Sequence, residues 1–576
     1  MKHVALYLLL ALTLAACTDT DADRSAATET PAAQRLNILW INCEDISPML
    51  PMFGDSTIET PSLSRLAARG IRYPNTFSVA GVCAPSRSCL VTGMYPISIG
   101  AHQMRTQWNK EILASVGLQA YGALPPPEVK MLPQMMREAG YFTSNNQKTD
   151  YQFESLKTAW DENGPMAHWR HRDRPEQPFF SVFDLEITHE SQVWMTGKGQ
   201  LRFQEGLEDP DRTTHRWGDV FTETERPPIT VPADADIPVP PYLVDSEITR
   251  KDLRRVYSNI RIMDTQVGFL LDQLEADGLT DNTVIFFFSD HGGPLPRQKR
   301  LMYDSGLRVP FIVAWPGDLR AGAVDSALIS FVDLPPTVLN VAGLDVPDWL
   351  QGRAVFGTNA RAPRTYVFAA ADRLDEHHDR IRAARDHRYK YLRNYHPERG
   401  YYLPLEYRER LPSMQELLKG RDAGTLTDAQ AQWFRKSKPA EELFDTRADP
   451  HELNNIVGDP AYAVKLAELR GAMDDWLAEV GDLGAEPEIE MVQRFWNGGD
   501  RMPQTGMPLL RRDGIGRFVL ESKTPGAQIA YRVTSPGAPA GPWRVYTGPL
   551  DHVRGDTLRV VAQRIGYRES EVGIGW

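Results

Sequence analysis

The chain has 576 residues, 42% of them hydrophobic, enough apolar material for about two to four domains. Its formal net charge of −12 excludes a general nucleic-acid binder but leaves room for a local basic pocket that takes a polyanion. Four cysteines are too few for a disulfide framework.

Residues 1–17 read as an export signal, with Lys2 as the positive start and an apolar stretch at 4–14 that is short for a membrane span. Leu14-Ala15-Ala16-Cys17 resembles a bacterial lipobox. Cys17 is therefore expected to carry lipid and to anchor an exported protein to a membrane, in the periplasm or at the cell surface. Residues 18–35 are a polar tether.

The run Leu36–Ile41 has the pattern of a strand buried on both faces, and it ends in Asn42-Cys43-Glu44-Asp45. Adjacent carboxylates at the carboxyl end of a strand stand where open α/β sheets place ligands. A solvated acidic loop is the plain alternative. Thr60-Pro61 opens a helix that closes at Gly70. Next comes Gly81–Tyr95, G-V-C-A-P-S-R-S-C-L-V-T-G-M-Y, a loop entering a helix. Pro85 suits the first turn and Gly93 the helix end. Cys83 then lies at the helix N-terminus, where free amides favour an anion, and Arg87 lies one turn on along the same face.

Met131–Gly140 reads as a helix, and Tyr141 begins a strand leading to Lys148-Thr149-Asp150. Pro178–Phe183 is another apolar strand, followed by Glu186 and His189. The basic run His168–Arg174 between them reads as a solvated surface or a substrate contact. Thr249–Ala276 is a long amphipathic helix. Thr283–Phe288 repeats the grammar of the first strand and ends in Ser289-Asp290-His291-Gly292-Gly293; Val309–Trp315 adds one more strand. This alternation predicts an α/β fold with a mostly parallel sheet flanked by helices over residues 36–363. A smaller α+β subdomain is expected over 364–480, with strands at Thr365–Phe368 and Tyr389–Leu392 and a helix at Ala461–Val480. Residues 481–515 read as a connector. Residues 516–576 read as a small all-β module with strands at Lys523–Ala527, Tyr546–Leu550 and Thr557–Ala562.

Cys83-Ala84-Pro85-Ser86-Arg87 resembles the C-x-P-S-R signature of the type I sulfatases of the alkaline phosphatase superfamily, whose cysteine is oxidised after translation to formylglycine (3-oxoalanine). The resemblance covers most of residues 36–480 and implies the alkaline-phosphatase-like sulfatase fold. It implies that Glu44, Asp45, Asp290 and His291, with modified Cys83, hold a divalent cation. The mainly oxygen set suits calcium, with magnesium as an alternative. It further implies that Arg87 supports the nucleophile, that Lys148 and Lys299 bind the sulfate, and that His189 protonates the leaving group. A formylglycine hydrate attacks sulfur through one hydroxyl and releases sulfate as the aldehyde reforms, whereas a thiolate would leave a stable adduct. The implied partners are a sulfated glycan and a formylglycine-generating or sulfatase-maturating enzyme. With Cys17 and Cys83 so assigned, Cys43 and Cys89 are left to pair or to stay buried and free.

Three positions depart from the family pattern. The first acid pair is Glu44-Asp45 rather than Asp-Asp. His291 stands where many relatives have Asn, and imidazole also suits manganese or zinc. Asp150 stands where a histidine usually acts as base, and is expected to take that role or to position Lys148. Val239-Pro240-Pro241-Tyr242-Leu243 and Gly292-Gly293-Pro294-Leu295-Pro296 are similar to strings in N-sulfoglucosamine sulfohydrolases and their bacterial relatives. Gly100–Arg105 also resembles that group, making His102 and Arg105 candidates for the substrate rim. The tail, with T-P-G-A-x-I-x-Y and Y-T-G-P pieces, resembles the C-terminal domain of bacterial chitobiases. The expected activity is removal of O- or N-linked sulfate from glycans. O-sulfated algal polysaccharide, phosphodiester or phosphonate monoester hydrolysis, and non-catalytic glycan binding are the alternatives.

Overall fold

In the computed structural model, residues 35–107, 110–194, 202–204, 217–219, 228–318, 320–551 and 556–575 are described. The expected signal, Cys17 and all of the tether but Arg35 lie outside them. The first apolar run forms β1 (Asn37–Cys43), every residue of which is buried. Its side chains alternate between two apolar layers, with Leu39, Ile41 and Cys43 entering one and Ile38 and Trp40 the other. Both faces are covered, which explains a continuous rather than alternating apolar sequence.

Six further strands complete its sheet: β2 (Gly70–Arg72), β3 (Phe142–Asn146), β4 (Glu162–Asn163), β5 (Phe179–Leu185), β6 (Thr283–Ser289) and β7 (Phe311–Ala314). Their order is β2-β7-β6-β1-β5-β3-β4. Neighbours from β6 to β4 run parallel. β7 runs antiparallel to both its neighbours. This departs from the parallel pattern that alternation predicts for Val309–Trp315. The β6–β7 connection, residues 290–310, is long enough for a crossover but holds only a one-turn helix, Asp304–Leu307, and the short strand Arg308–Val309, with no helix laid across the sheet to bring the chain back parallel.

Two helices sandwich the sheet centre. On one side lies α1 (Glu247–Ala276), 30 residues long and started by Ser246, whose side chain accepts from the Thr249 amide. On the other lies α2 (Cys83–Thr92), all of whose residues are buried. Gly93 closes α2 in the left-handed region (φ 66°), where glycine carries no steric cost.

The smaller subdomain is an antiparallel sheet, β8 (Val367–Ala371), β9 (Ile381–Arg385), β10 (Tyr389–Asn394) and β11 (Glu441–Asp445), paired in chain order. The helix α3 (Ala463–Val480) covers it through Leu466, Leu469, Met473 and Trp476, with Trp476 stacked on Phe368 at 4.8 Å. Residues 481–515 are more than a connector. They contain α4 (Glu488–Phe495), whose Met491, Val492 and Phe495 pack with Leu113, Leu118 and Tyr121. They also contain β12 (Leu509–Arg512), paired with β13 (Phe518–Glu521). Composition hid α4 because its apolar residues occupy one narrow stripe between loops rich in glycine and proline.

The terminal sheet follows as β14 (Gln528–Thr534), β15 (Arg544–Val545), β16 (Thr557–Gln563) and β17 (Ser570–Gly575), in the order β15-β14-β16-β17. The expected strand Lys523–Ala527 is instead a turn that presses on the main domain. Gly526 (φ 75°) leaves no room for a Cβ, which would meet the Pro127 carbonyl at 2.4 Å. Cys43 and Cys89 are buried and free. Among the described residues no helix is long and apolar enough to cross a membrane.

The basic run at 168–174 divides: residues 168–170 are structural, while His171 and Arg174 lie on the solvated surface. His168 is buried and meets Gln273 at 2.9 Å, while Trp169 and Arg170 both donate to Asp277 at the end of α1. Burial pushes the His168 pKa down to about 3. Below pH 6.5 the unfolded chain therefore gains a proton that the folded chain refuses, so stability falls as pH drops from 6.5 toward 3. Denaturation followed between pH 7 and 5 should show the wild type losing about 1.4 kcal/mol per pH unit more than His168→Gln over the acid part of that range. Parallel pH curves would contradict this.

Candidate active site

The carboxyl ends of three adjacent parallel strands, β5, β1 and β6, deliver Asp184, Glu44 and Asp290. Arg87 on α2 meets all three. Its Nη1 lies 2.8 Å from Asp184, its Nη2 3.2 Å from Glu44 and its Nε 3.1 Å from Asp290. Burial opposes charge on Arg87, but the three carboxylates outweigh it and hold its pKa well above the usual value. Ser86, one residue earlier, donates to the Asp290 carbonyl at 2.5 Å.

Cys83 is the first residue of α2. The cap residue Val82 supplies no side-chain hydrogen bond, so the first-turn amides are open to an anion. The Cys83 sulfur lies 3.2 Å from His291 Nε2, 3.4 Å from Lys299 Nζ and 4.0 Å from Asp45. Burial works against a thiolate, but Lys148 and Lys299 prevail and bring the Cys83 pKa down to about 7. Asp45, in the left-handed region at φ 52°, takes Lys299 on both oxygens (2.7 and 2.9 Å) and His291 at 3.0 Å. Against the cost of burial, these cations hold its carboxyl well below the usual range. Asp290 is held at about 2 despite burial, by His291 and Arg87. Burial disfavours charge on His291, yet Asp290 and Asp45 lift its pKa to about 10.

Lys148 pairs with Glu44 at 2.7 Å, and His189 turns Nε2 toward Glu44 at 3.9 Å. His189 Nδ1 is held by Ser191, whose amide donates at 3.3 Å and whose hydroxyl lies 2.8 Å away. The Lys148 and His189 side chains are 17% and 20% exposed, whereas Glu44, Asp45, Asp290, His291 and Lys299 are at most 2% exposed, so the site opens to solvent over the first pair.

The structure thus brings Glu44, Asp45, Cys83, Arg87, Lys148, His189, Asp290, His291 and Lys299 together. Asp150 lies two residues beyond Lys148, in the left-handed region at φ 51°, with its charge acting on Lys148. His102 is buried with neither ring nitrogen hydrogen-bonded, and Arg105 sits on the ring of Tyr407, beside His189. Three residues escape the motif reading. Asp184 ends an apolar strand by the same grammar as Glu44 and Asp290, so its signal was present. Glu190 and Arg300 directly follow His189 and Lys299. They form a bidentate pair (2.7 and 2.8 Å), and Glu190 also holds Lys299 at 3.2 Å.

Ligand atoms of Asp45, Cys83, Asp290 and His291 lie within 4.8 Å of one another, as do those of Glu44, Asp45, Cys83 and His189. Ammonium and imidazole groups now neutralise these carboxylates, so the donor set fits a divalent cation.

The sulfatase family model matches residues 36–194 and 171–344, more than half of the chain. The chain belongs to the sulfatase family. The model of the C-terminal region of N-sulphoglucosamine sulphohydrolase matches residues 297–409. An ulvan-active sulfatase of Formosa agariphila is 46% identical over 95% of this chain and 92% of its own length. Human N-sulphoglucosamine sulphohydrolase is 25% identical over 78% of this chain and 91% of its own. A protein solved with its substrate D-glucosamine-2-N,6-O-disulfate shares the fold, with a TM-score of 0.54 at 19% identity over 79% of this chain and all of that one. The sulfatase is therefore a hydrolase of sulfate esters or sulfamates on an alkaline-phosphatase-like fold.

Replacing Arg87 by Met would leave Asp184 without its cation and strip one from Glu44 and Asp290, which keep Lys148 and His291. Chemical denaturation should show a loss of roughly 3–5 kcal/mol, with Asp184→Asn losing less. A loss under about 1 kcal/mol for Arg87→Met would contradict the role given to this guanidinium.

Proposed function

We propose that Cys83, converted to formylglycine, is the nucleophile of a sulfatase that removes O-linked sulfate from a polysaccharide. The observation that carries this reading is the placement of Cys83 Sγ at an open helix N-terminus, within 4.0 Å of Asp45, His291 and Lys299. O-sulfate on polysaccharide is preferred to the N-sulfate of glucosamine because the 46% identical relative is ulvan-active. Glu44, Asp45, Asp290 and His291 would hold calcium, or magnesium or manganese, which would supply positive charge beside the attacking oxygen and the sulfate.

The chain's own residues account for binding and proton movement. Lys148 and Lys299 enclose the sulfate oxygens. The α2 amides face the same anion. His189, fixed through Nδ1 by Ser191, presents Nε2 to the leaving oxygen and delivers its proton there. Asp150 acts on Lys148 from the mouth of the site and serves as base or positions that lysine. A maturation enzyme is required for Cys83, and Cys17 would tether the exported protein through lipid.

Sulfate release from defined ulvan oligosaccharides and from N-sulfoglucosamine, by protein co-expressed with a formylglycine-generating enzyme, tests the reading. Release should favour the O-sulfated substrates, and Asp150→Asn should lower their kcat by about 100-fold or more. No release from any sulfated sugar would overturn the function. Unchanged turnover in Asp150→Asn would remove that residue from the mechanism.

A further inference from the structure

Exposure at the active site does not stop at His189. Tyr407 lies beside it, with ring centroids 6.5 Å apart. Trp194 meets Tyr407 edge-on at 5.2 Å. Two guanidinium groups share the Tyr407 ring, Arg105 at 5.4 Å and Arg410 at 5.9 Å, and Arg410 also lies 5.3 Å from the Trp194 ring.

We propose that Tyr407, Arg105 and Arg410 form a subsite for a second anionic group, carried by the sugar next to the one that is desulfated. This rests on the sulfatase reading of the same site and names what lies beside the reacting sulfate. Aromatic rings present flat faces to a sugar, and arginine offers a planar fork that pairs with carboxylate or sulfate oxygens. Arg105 is positioned for this role. It adopts φ 60°, uncommon for a residue with a side chain, and its ion pair with Asp375 uses Nε, which leaves both Nη groups for a ligand. Among the described residues, Arg410 forms its ion pair only with Glu406, at 2.7 Å; the Glu406 side chain is 86% exposed, and such a screened surface pair yields readily to a ligand. The ledge itself is anchored from below. Arg408, on the same helical turn, is buried, lies over the Tyr402 and Trp433 rings, and donates to the Leu403 carbonyl. The ring and its two arginines are therefore held at the mouth that Lys148 and His189 leave open.

A carboxylate and a second sulfate share the chemistry this ledge recognises, and matched substrates separate them. One pair would carry the same sulfated sugar next to a uronic acid or its carboxyl-reduced form. The other would carry it next to a sulfated or unsulfated neutral sugar. For the modified wild-type enzyme, kcat/KM should favour the acidic member of at least one pair by about tenfold, mainly through KM. Arg105→Gln should erase that preference, and Arg410→Gln, on an exposed turn, should cut it about threefold. The ratio within one variant cancels any general loss of activity. Calorimetric binding of the same pairs to Cys83→Ala gives a readout free of turnover. Preference confined to the uronate pair assigns a carboxylate, and preference confined to the second pair assigns a sulfate. Turnover with equal kcat/KM within both pairs, or full preference kept in both arginine variants, would overturn the subsite. Preferential binding to Cys83→Ala without sulfate release by the modified wild type would instead sink the sulfatase reading and keep the ledge.

Discussion

The active site depends on one guanidinium. Arg87 projects from a helix with no solvent-facing side and ties together acids from the ends of three neighbouring strands. Burying such acids without a cation would cost several kcal/mol each. The planar donor fork satisfies them in one geometry, and that geometry fixes α2 against the sheet. Cys83, one turn earlier on the same helix, is placed by the same contacts.

The rest of the charge arrangement builds outward from this centre. Lys299 neutralises Asp45, which Arg87 does not reach, Lys148 shares Glu44 with Arg87, and Glu190 passes charge on to Arg300. The loop bearing Lys299 is clamped from the smaller subdomain. Arg297 donates to the His451 and Glu452 carbonyls at 2.8 Å, and Lys390 donates to the Met302 carbonyl at 3.1 Å. The antiparallel sheet is thus part of the active site although it contributes no side chain to the cluster. The terminal β module rests on loops at the far edge of the main sheet, through Gly526 on Pro127 and Gln563 on the Lys157 amide.

Strands buried on both faces were legible because their apolar runs are continuous, and β1, β5 and β6 carry an acid at or just beyond their carboxyl ends. The start and end of α2 were legible because Pro85 and Gly93 carry specific backbone meanings. The direction of β7 was not, since it is decided by the content of a connection, which carries no crossover helix, rather than by its own residues. Helix α4 was hidden within a stretch read by composition. Asp184 was overlooked although it ends its strand as Glu44 and Asp290 do, whereas Glu190 escaped because its role arises from a partner 110 residues away in sequence, Arg300. The basic run at 168–174 drew attention as a possible contact, yet Arg170 is spent on the end of α1 and His171, Arg172 and Arg174 on neighbours within their own loop and strand β4. Tyr407 carried no local signal at all; only the fold brings it to His189.

The central claim is that chemistry at this site begins at a modified Cys83. Preparations spanning none to full conversion of Cys83, quantified by intact mass, should hydrolyse an aryl sulfate in proportion to the converted fraction, with no turnover at zero conversion. Undiminished turnover by wholly unmodified protein would contradict the account.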